Sequence, residues 1–164
     1  MQSNSFYTME ELFPVISSFF DEDKKVIITA VGNSMRPLLR HKKDGIVLEK
    51  YKGQPLKTGD MAFYRRETGR YVLHRIVGID QDGSFTMLGD HQTEAEKGIS
   101  KEQILALPTA IIRGKRIIPL TSRGYQRYAG FWSKSVFFRK INIKLFLLKI
   151  KISRIITGNK ETVG

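Results

Sequence analysis

The apolar residues near the N-terminus recur with the period of a helix. They lie at Leu12, Ile16 and Phe19. Thr8 and Glu11 form the sequence signature of a capping box, in which each residue satisfies a backbone N–H of the other. Pro14 falls early enough in this stretch to be tolerated or to kink the helix. We therefore predict a short amphipathic helix in an N-terminal part that covers residues 1–23.

The middle of the chain, residues 24–120, has a different texture of short β-branched runs separated by tight turns. The runs are VIITAV, DGIVLEK, MAFYRR, YVLHRIVGI, GSFTML and TAIIRGKRIIPL. Such spacing is typical of a small antiparallel barrel or folded sheet. Between the last two runs, Ser100 and Gln103 form a second capping box, which predicts a helix of one or two turns that ends at Pro108. The sequence predicts a mainly β fold here.

The last part, residues 121–164, interleaves apolar and basic residues and is predicted to form a basic helical tail. Residues 121–160 hold 10 Lys/Arg and no Asp/Glu, whereas residues 1–120 hold 18 Lys/Arg against 15 Asp/Glu. A helix of this kind suits an anionic membrane surface, because its apolar groups can enter the acyl boundary while its ammonium groups stay at the phosphates. The alternatives are a terminal helix docked on the body with a solvated basic face, and nucleic acid, which is the least favoured partner.

Composition limits the chemistry that the chain can support. The 164 residues suffice for the core of one domain, and the absence of cysteine removes disulfides, thiol catalysis and cysteine-ligated metals. Three scattered histidines do not suggest zinc, so we predict neither a metal nor a cofactor.

The chain also lacks the sequence features of membrane insertion and export. It has no apolar run of the roughly 18 to 20 residues that cross a bilayer. Its N-terminus has acids where a secretory signal has lysine or arginine. We therefore expect a cytoplasmic protein or one held peripherally on the cytoplasmic side of a membrane.

Three residues are candidates for catalysis, and each has an ordinary structural alternative. Ser34, in GNSMRP, either forms a turn or presents its hydroxyl as a nucleophile, which would need a neighbouring base. His74 shares one strand face with Val72 and Ile76, so it is either a structural histidine or the general base. Asp90, in a Gly-Asp corner after a strand, is either a turn residue or the acid that orients the base.

In order, the segments GNSMRP, TGDMAFY, YVLHRIVGI, LGDHQTEAE and SKEQILALPTAIIRGKR resemble the type I signal peptidase family and its relatives, the self-cleaving SOS repressors. The resemblance covers about residues 26–118 and implies a folded, mostly antiparallel β-sheet catalytic domain. It implies a serine endopeptidase that cuts a precursor or leader peptide bound in an extended form. Ser34 would be the nucleophile, Asp90 the acid, and His74 the base, as in the histidine-type enzymes of the endoplasmic reticulum and of spore formers.

The same resemblance indicates further positions of the site. Glu96, six residues after Asp90, corresponds to a second acid in the reticulum type. Gly32, Asn33 and Met35 would surround the oxyanion and the bound substrate. The Ser34 backbone N–H would be one donor to the oxyanion. Many relatives supply the second donor as a hydroxyl group at the position of Gly32, so the second donor in this chain is open.

The sequence leaves other functions open. Signal peptidases are usually held by a membrane helix just before the serine, and residues 1–33 contain no such run. This departure favours a specialised precursor as substrate. One alternative is a non-catalytic peptide- or membrane-binding module on the same fold, without a cofactor. Another is a self-cleaving repressor-like regulator, although residues 1–25 are too few for a helix-turn-helix. The oligomeric state is open.

Overall fold

A computed structural model describes residues 7–134, 139–141, 143–148 and 151–152. Within residues 7–134, the chain forms two α-helices and an antiparallel sheet of eight strands. The helices are α1 (Met9–Asp21) and α2 (Arg123–Lys134). The strands are β1 (Val26–Thr29), β2 (Asp44–Lys50), β3 (Met61–Arg65), β4 (Tyr71–Ile79), β5 (Phe85–Leu88), β6 (Glu96–Ile99), β7 (Ile104–Arg113) and β8 (Arg116–Pro119). The predicted mainly antiparallel β fold with an N-terminal and a C-terminal helix is confirmed.

Strand order places the long strand β7 in the interior of the sheet, where it pairs with β2, β3 and β8. The order is β1-β2-β7-β3-β4-β5-β6, and β8 also pairs with β7. Register shifts interrupt β2 between Val47 and Leu48, and β3 between Phe63 and Tyr64. Such bulges bend a strand and increase its twist. The sheet is therefore folded, and its two halves enclose separate clusters of apolar side chains.

The two clusters lie on either side of β4, because alternate residues of a strand face opposite ways. Leu73 packs against the cluster that contains the apolar face of α1, whereas Val72 and Ile76 belong to the other cluster. The first cluster includes Ile16, Phe20, Met35, Leu39, Ile46 and Ile111. The second includes Ala62, Tyr64, Ile76, Phe85, Met87, Ile99 and Ile104.

Helix α1 begins at the predicted capping box, in which Thr8 and Glu11 bind each other's backbone N–H groups. Its buried residues are Ile16 and Phe20, however, while Leu12 and Phe19 are 37% and 42% exposed. The spacing identified the helix correctly. It did not identify which apolar residues face the core, because this helix is apolar over more than one face.

The helix predicted after Ser100 is wrong beyond its first turn. A single 3₁₀ turn covers Lys101–Gln103, and β7 begins at the next residue. Pro108 lies inside β7 rather than ending a helix, opposite Leu48 at the bulge, where a missing N–H is tolerated. Side chains of β7 alternate between buried and half-buried from Ile104 to Ala110, which is the period of a strand.

The predicted basic tail is described in part. Residues 139–141, 143–148 and 151–152 are helical, whereas residues 135–138, 142, 149–150 and 153–164 lie outside the described residues. None of the helices among the described residues is long and apolar enough to cross a membrane.

Candidate active site

Ser34 lies half-buried in the loop that joins β1 to β2. Two backbone hydrogen bonds shape the turn around it, from the Arg36 N–H to the Asn33 carbonyl at 3.1 Å and from the Leu39 N–H to the Met35 carbonyl at 2.9 Å. Gly32 has a φ of 97°, a conformation that glycine adopts without strain. The chain therefore reaches Ser34 through a fixed turn.

Asp44 anchors the far end of this loop. Its buried carboxylate accepts hydrogen bonds from the Arg40 side chain at 2.7 and 3.0 Å and from Arg113 Nη2 at 2.8 Å. Burial alone would raise the pKa of this carboxyl group, but the hydrogen bonds from Arg40 and Arg113 lower the pKa of Asp44 to about 2. Its backbone carbonyl accepts from the Ala30 N–H at 2.9 Å, which closes the loop.

A second contact holds Ser34 from the corner after β5. The carbonyl of Ser34 accepts a hydrogen bond from the His91 N–H at 2.7 Å. A Cβ atom on Gly89 would lie 2.6 Å from that carbonyl oxygen and 2.6 Å from Oε1 of Gln92. The LGD corner therefore requires glycine, because the Ser34 turn and the Gln92 side chain both approach its backbone closely.

His74 lies on β4, 3% exposed, with one ring nitrogen fixed by a tyrosine. Its Nδ1 lies 3.3 Å from the Tyr64 hydroxyl, which donates to Glu96 Oε2 at 2.9 Å. Because the tyrosine proton goes to the carboxylate, the tyrosine oxygen accepts from an N–H at His74 Nδ1. This tautomer leaves a lone pair on Nε2, which is the nitrogen that a general base would use.

Glu96 connects this pair to a cation. Arg66 Nε donates to both carboxylate oxygens of Glu96, at 3.0 and 2.8 Å. Burial alone would raise the pKa of Glu96, but the hydrogen bonds from Arg66 and Tyr64 lower it. Glu96 is therefore a negatively charged acceptor for the Tyr64 proton, which leaves the tyrosine oxygen to accept from His74 Nδ1.

Burial, with a smaller effect of the Arg66 charge, lowers the pKa of His74 to about 4, and Glu96 opposes the shift. The imidazole is therefore neutral at pH 7. A general base must be neutral to accept a proton, so His74 has the required protonation state.

Ser34 and His74 line one cleft of about 940 Å³. Gly32, Met35 and Gln92 also line it, and its other walls come largely from α1 and β1. Among the described residues, the His74 ring is hydrogen-bonded to Tyr64, and the Ser34 hydroxyl is not bonded to it. Catalytic contacts are often longer in an empty site than in a substrate complex, so the two groups would have to approach when substrate binds.

Asp90 does not orient His74, and that prediction is corrected. Its fully buried carboxylate accepts from Arg75 Nε at 2.8 Å, from Arg75 Nη2 at 2.7 Å and from the Tyr128 hydroxyl at 3.0 Å. Arg75 follows His74 in the strand and therefore points to the opposite face. Asp90 balances a buried arginine on that other side of β4.

The Arg75–Asp90 pair also attaches α2 to the sheet. Tyr125 Oη lies 3.2 Å from Arg75 Nη1, and Trp132 Nε1 donates to the Asp90 carbonyl at 2.8 Å. Through these bonds the pair joins β4, the corner after β5 and α2.

Of the remaining predicted positions, Gly32 and Met35 line the cleft, and Asn33 is not among its lining residues. Gly32 lines it, but the Gly32 N–H donates to His41 Nδ1 at 2.8 Å. Met35 is 5% exposed and forms part of the floor together with Leu39. Asn33 is exposed on the surface of the turn.

Sequence reasoning missed Tyr64, Arg66 and Gln92. The strand pairing carried a signal for the tyrosine: Ala62 pairs with His74, so Tyr64, two residues along, shares a face with the histidine. No comparable signal identified Gln92, whose place depends on the fold of the corner at Gly89.

Among the residues that the structure describes, no group of three or more His, Asp or Glu side chains is arranged to hold a metal ion. A comparison with protein-family models found no match. A search of curated proteins likewise found no significant relative.

Proposed function

We propose that the protein is a serine endopeptidase of the signal peptidase-like type that cuts a precursor or leader peptide. The observation that carries this proposal is the common cleft of Ser34 and a neutral His74 whose Nδ1 is fixed by Tyr64. A nucleophile, a base and a group that orients the base are the parts that acyl transfer needs.

In the proposed reaction, the Ser34 hydroxyl attacks the scissile carbonyl, and His74 Nε2 takes the hydroxyl proton. The resulting imidazolium donates that proton to the leaving amine, which gives an acyl-enzyme. Water then attacks the ester, with His74 again as the base. Glu96, acting through Tyr64, stabilises the imidazolium that forms in each step, which is the role that the sequence predicted for Asp90.

The oxyanion requires preorganised donors. We assign one to the Ser34 backbone N–H and the other to the Gln92 side-chain amide. The Gly89 N–H donates to Gln92 Oε1 at 3.2 Å, which fixes the amide with its two N–H donors on the remaining nitrogen. The Ser34 carbonyl and Gln92 Oε1 both lie 2.6 Å from the Cβ position at Gly89, so Gln92 is next to the serine.

The cleft suits an extended peptide. Strand β1 is the first in the strand order and pairs with β2, so its other edge is not paired with a described strand. An extended substrate could bind that edge through its backbone while side chains enter pockets of the cleft. The lining includes Val26, Ile28 and Phe63, which favours small or apolar substrate residues.

The test is cleavage of an unbiased peptide library, with products identified by mass spectrometry. Wild-type protein is compared with Ser34→Ala and His74→Ala, and Ser84→Ala in a surface turn is the matched control. We expect cuts by the wild type and the control, and none by the two site variants. Equal cleavage by all four proteins would overturn the proposal.

A non-catalytic peptide-binding module is the second candidate, and the lack of a hydrogen bond between Ser34 and His74 favours it. It predicts that wild type and Ser34→Ala retain the same library peptides without cutting them. Cuts found only within the protein itself would instead indicate a self-cleaving regulator.

A further inference from the structure

The helical residues 139–141, 143–148 and 151–152 present exposed apolar side chains at helical spacing, which form an apolar stripe. Its members are Ile141, Leu145, Leu148 and Ile152, between 37% and 60% exposed. Their spacing of four, three and four residues places them on one face of a helix. Four large exposed apolar side chains on one face of a helix are unusual on a protein surface that contacts only water.

Basic side chains flank this stripe. Lys140, Lys144 and Lys151 are exposed and, by the helical period, lie along one of its sides. Residues 121–160 contain no acid that could neutralise them. The surface therefore combines exposed apolar area with uncompensated positive charge.

We propose that this face binds an anionic lipid surface. Leucine and isoleucine would enter the acyl boundary while the lysine ammonium groups remain at the phosphates. Nucleic acid would use the lysines but would leave the apolar stripe in water. A second copy of the chain would bring two rows of lysine together, which is repulsive. Charge and apolarity together thus favour lipid.

The opposite side of the same helical segment contacts the serine loop. The half-buried Phe146 ring lies 4.6 Å from the Arg36 guanidinium and 4.9 Å, edge-on, from the His91 ring. Arg36 is two residues after Ser34, and the His91 N–H binds the Ser34 carbonyl. Phe146 therefore touches both supports of the Ser34 turn.

The segment is also connected to the body through α2. Arg139 Nη2 donates to the Trp132 carbonyl at 2.7 Å, and Trp132 is bonded to Asp90. Lipid that holds this segment would therefore favour the arrangement in which Phe146 supports the Ser34 turn. This second step rests on the proposed peptidase function, whereas lipid binding itself does not.

The test of binding is flotation with phosphatidylcholine vesicles, with and without phosphatidylglycerol. We expect binding that requires phosphatidylglycerol and weakens with salt. The double variant Leu145→Ser/Leu148→Ser should bind about tenfold or more weakly, because apolar burial is lost. Lys144→Gln should bind about fivefold more weakly. Ile117→Ser and Lys115→Gln, exposed on and near β8, are matched controls that should bind as the wild type does.

Several outcomes would overturn the proposal. Equal flotation of the wild type and the stripe variants is one, and vesicle-independent dimers that Leu145→Ser/Leu148→Ser disrupts are another. Binding to duplex DNA that survives the leucine changes and fails in Lys144→Gln, without flotation, would assign the surface to nucleic acid.

Cleavage assays separate this inference from the proposed function. Ser34→Ala should float as the wild type does, so lipid binding without any cleavage would reject the peptidase and keep the lipid surface. Phosphatidylglycerol vesicles should raise the cleavage rate of wild-type protein and should have a smaller effect on Phe146→Ala. An equal effect of vesicles on both proteins would reject the role of Phe146.

Discussion

The Tyr64 hydroxyl lies between a histidine and a carboxylate, 3.3 Å from Nδ1 of His74 and 2.9 Å from an oxygen of Glu96. Its single proton can serve only one of them, and the carboxylate is the stronger acceptor. Tyr64 thereby determines which imidazole nitrogen carries hydrogen. The tautomer of His74, the proposed base, is thus set by a tyrosine on β3 and a glutamate on β6 rather than by an aspartate in direct contact.

Tyr64→Phe removes the acceptor for His74 Nδ1 and keeps the ring. We expect kcat to fall by about tenfold to a hundredfold with little change in KM, because the correct tautomer is no longer favoured. The measurement is steady-state cleavage of a peptide found in the library screen. Tyr51→Phe, which removes a hydroxyl bonded to the Gln54 carbonyl, is the control. Equal kcat in both variants would show that Tyr64 has no part in orienting the base.

Glu96→Gln and Asp90→Asn should have different effects. Glu96→Gln removes the charge behind Tyr64, so kcat should fall while the protein stays folded. Asp90→Asn leaves Arg75 buried beside a neutral group, so the free energy of unfolding should drop by about 3–5 kcal/mol. Urea denaturation measured beside kcat separates the two. Loss of kcat in a stably folded Asp90→Asn protein, with Glu96→Gln fully active, would restore the role that the sequence predicted for Asp90.

The local patterns predicted much of the fold. Short β-branched runs separated by tight turns identified β1 to β5, and the capping box identified the start of α1 at Thr8. Strand β6, with the sequence EKGI, was missed because its four residues offer too little alternation. The Pro108 error arose because a helix-ending signal is indistinguishable from a proline at a bulge until the partner strand is known.

The candidate site was predictable only where neighbours in sequence decide it. The face that His74 shares with Ile76 follows from alternation alone, and the two residues do share it. The partner of Asp90 does not follow from alternation, because Arg75 and Asp90 come together only through the pairing of β4 with β5. Gln92 depends on tertiary approach at Gly89, which no local pattern encodes.

The depressed pKa of His74 makes stability depend on pH. The pKa is about 4 in the folded state and about 6.5 in the unfolded chain. Between these values the unfolded chain binds more protons, so the free energy of unfolding should rise with pH from about 4 to about 6.5. The slope contributed by this group is at most about 1.4 kcal/mol per pH unit.

Urea denaturation across this range tests the assignment. His74→Gln should flatten the pH dependence of stability, because the group with the lowered pKa is removed. The cleavage rate of the wild type should likewise persist at pH 5 and fall as the pH drops through about 4, because protonated His74 cannot act as the base. An unchanged slope in His74→Gln would contradict the assignment.

Asp44→Asn should destabilise the serine loop. The carboxylate is buried, whereas the side chains of Arg40 and Arg113 are 44% and 35% exposed, so Asn replaces a charged acceptor while both cations keep access to water. We expect a loss of about 1–3 kcal/mol in the free energy of unfolding at pH 7, the range for lost hydrogen bonds to a charged group. Because the pKa is lowered to about 2, the wild-type contribution should be fully present above about pH 4 and lost as the pH falls through 2. Asp21→Asn, which affects an exposed pair with Lys50, is the control and should cost less than about 1 kcal/mol.

The Gln92 side chain provides the most direct test of the proposed oxyanion site. Gln92→Ala removes the donor and should lower kcat about a hundredfold with KM nearly unchanged, since the donor acts on charge that develops in the transition state. Gln92→Glu keeps an oxygen that can accept from the Gly89 N–H but replaces the donors with negative charge, so its kcat should fall further. Gln54→Ala, at an exposed position, is the control. If Gln92→Glu cleaves as fast as the wild type, the oxyanion donor must be a different group.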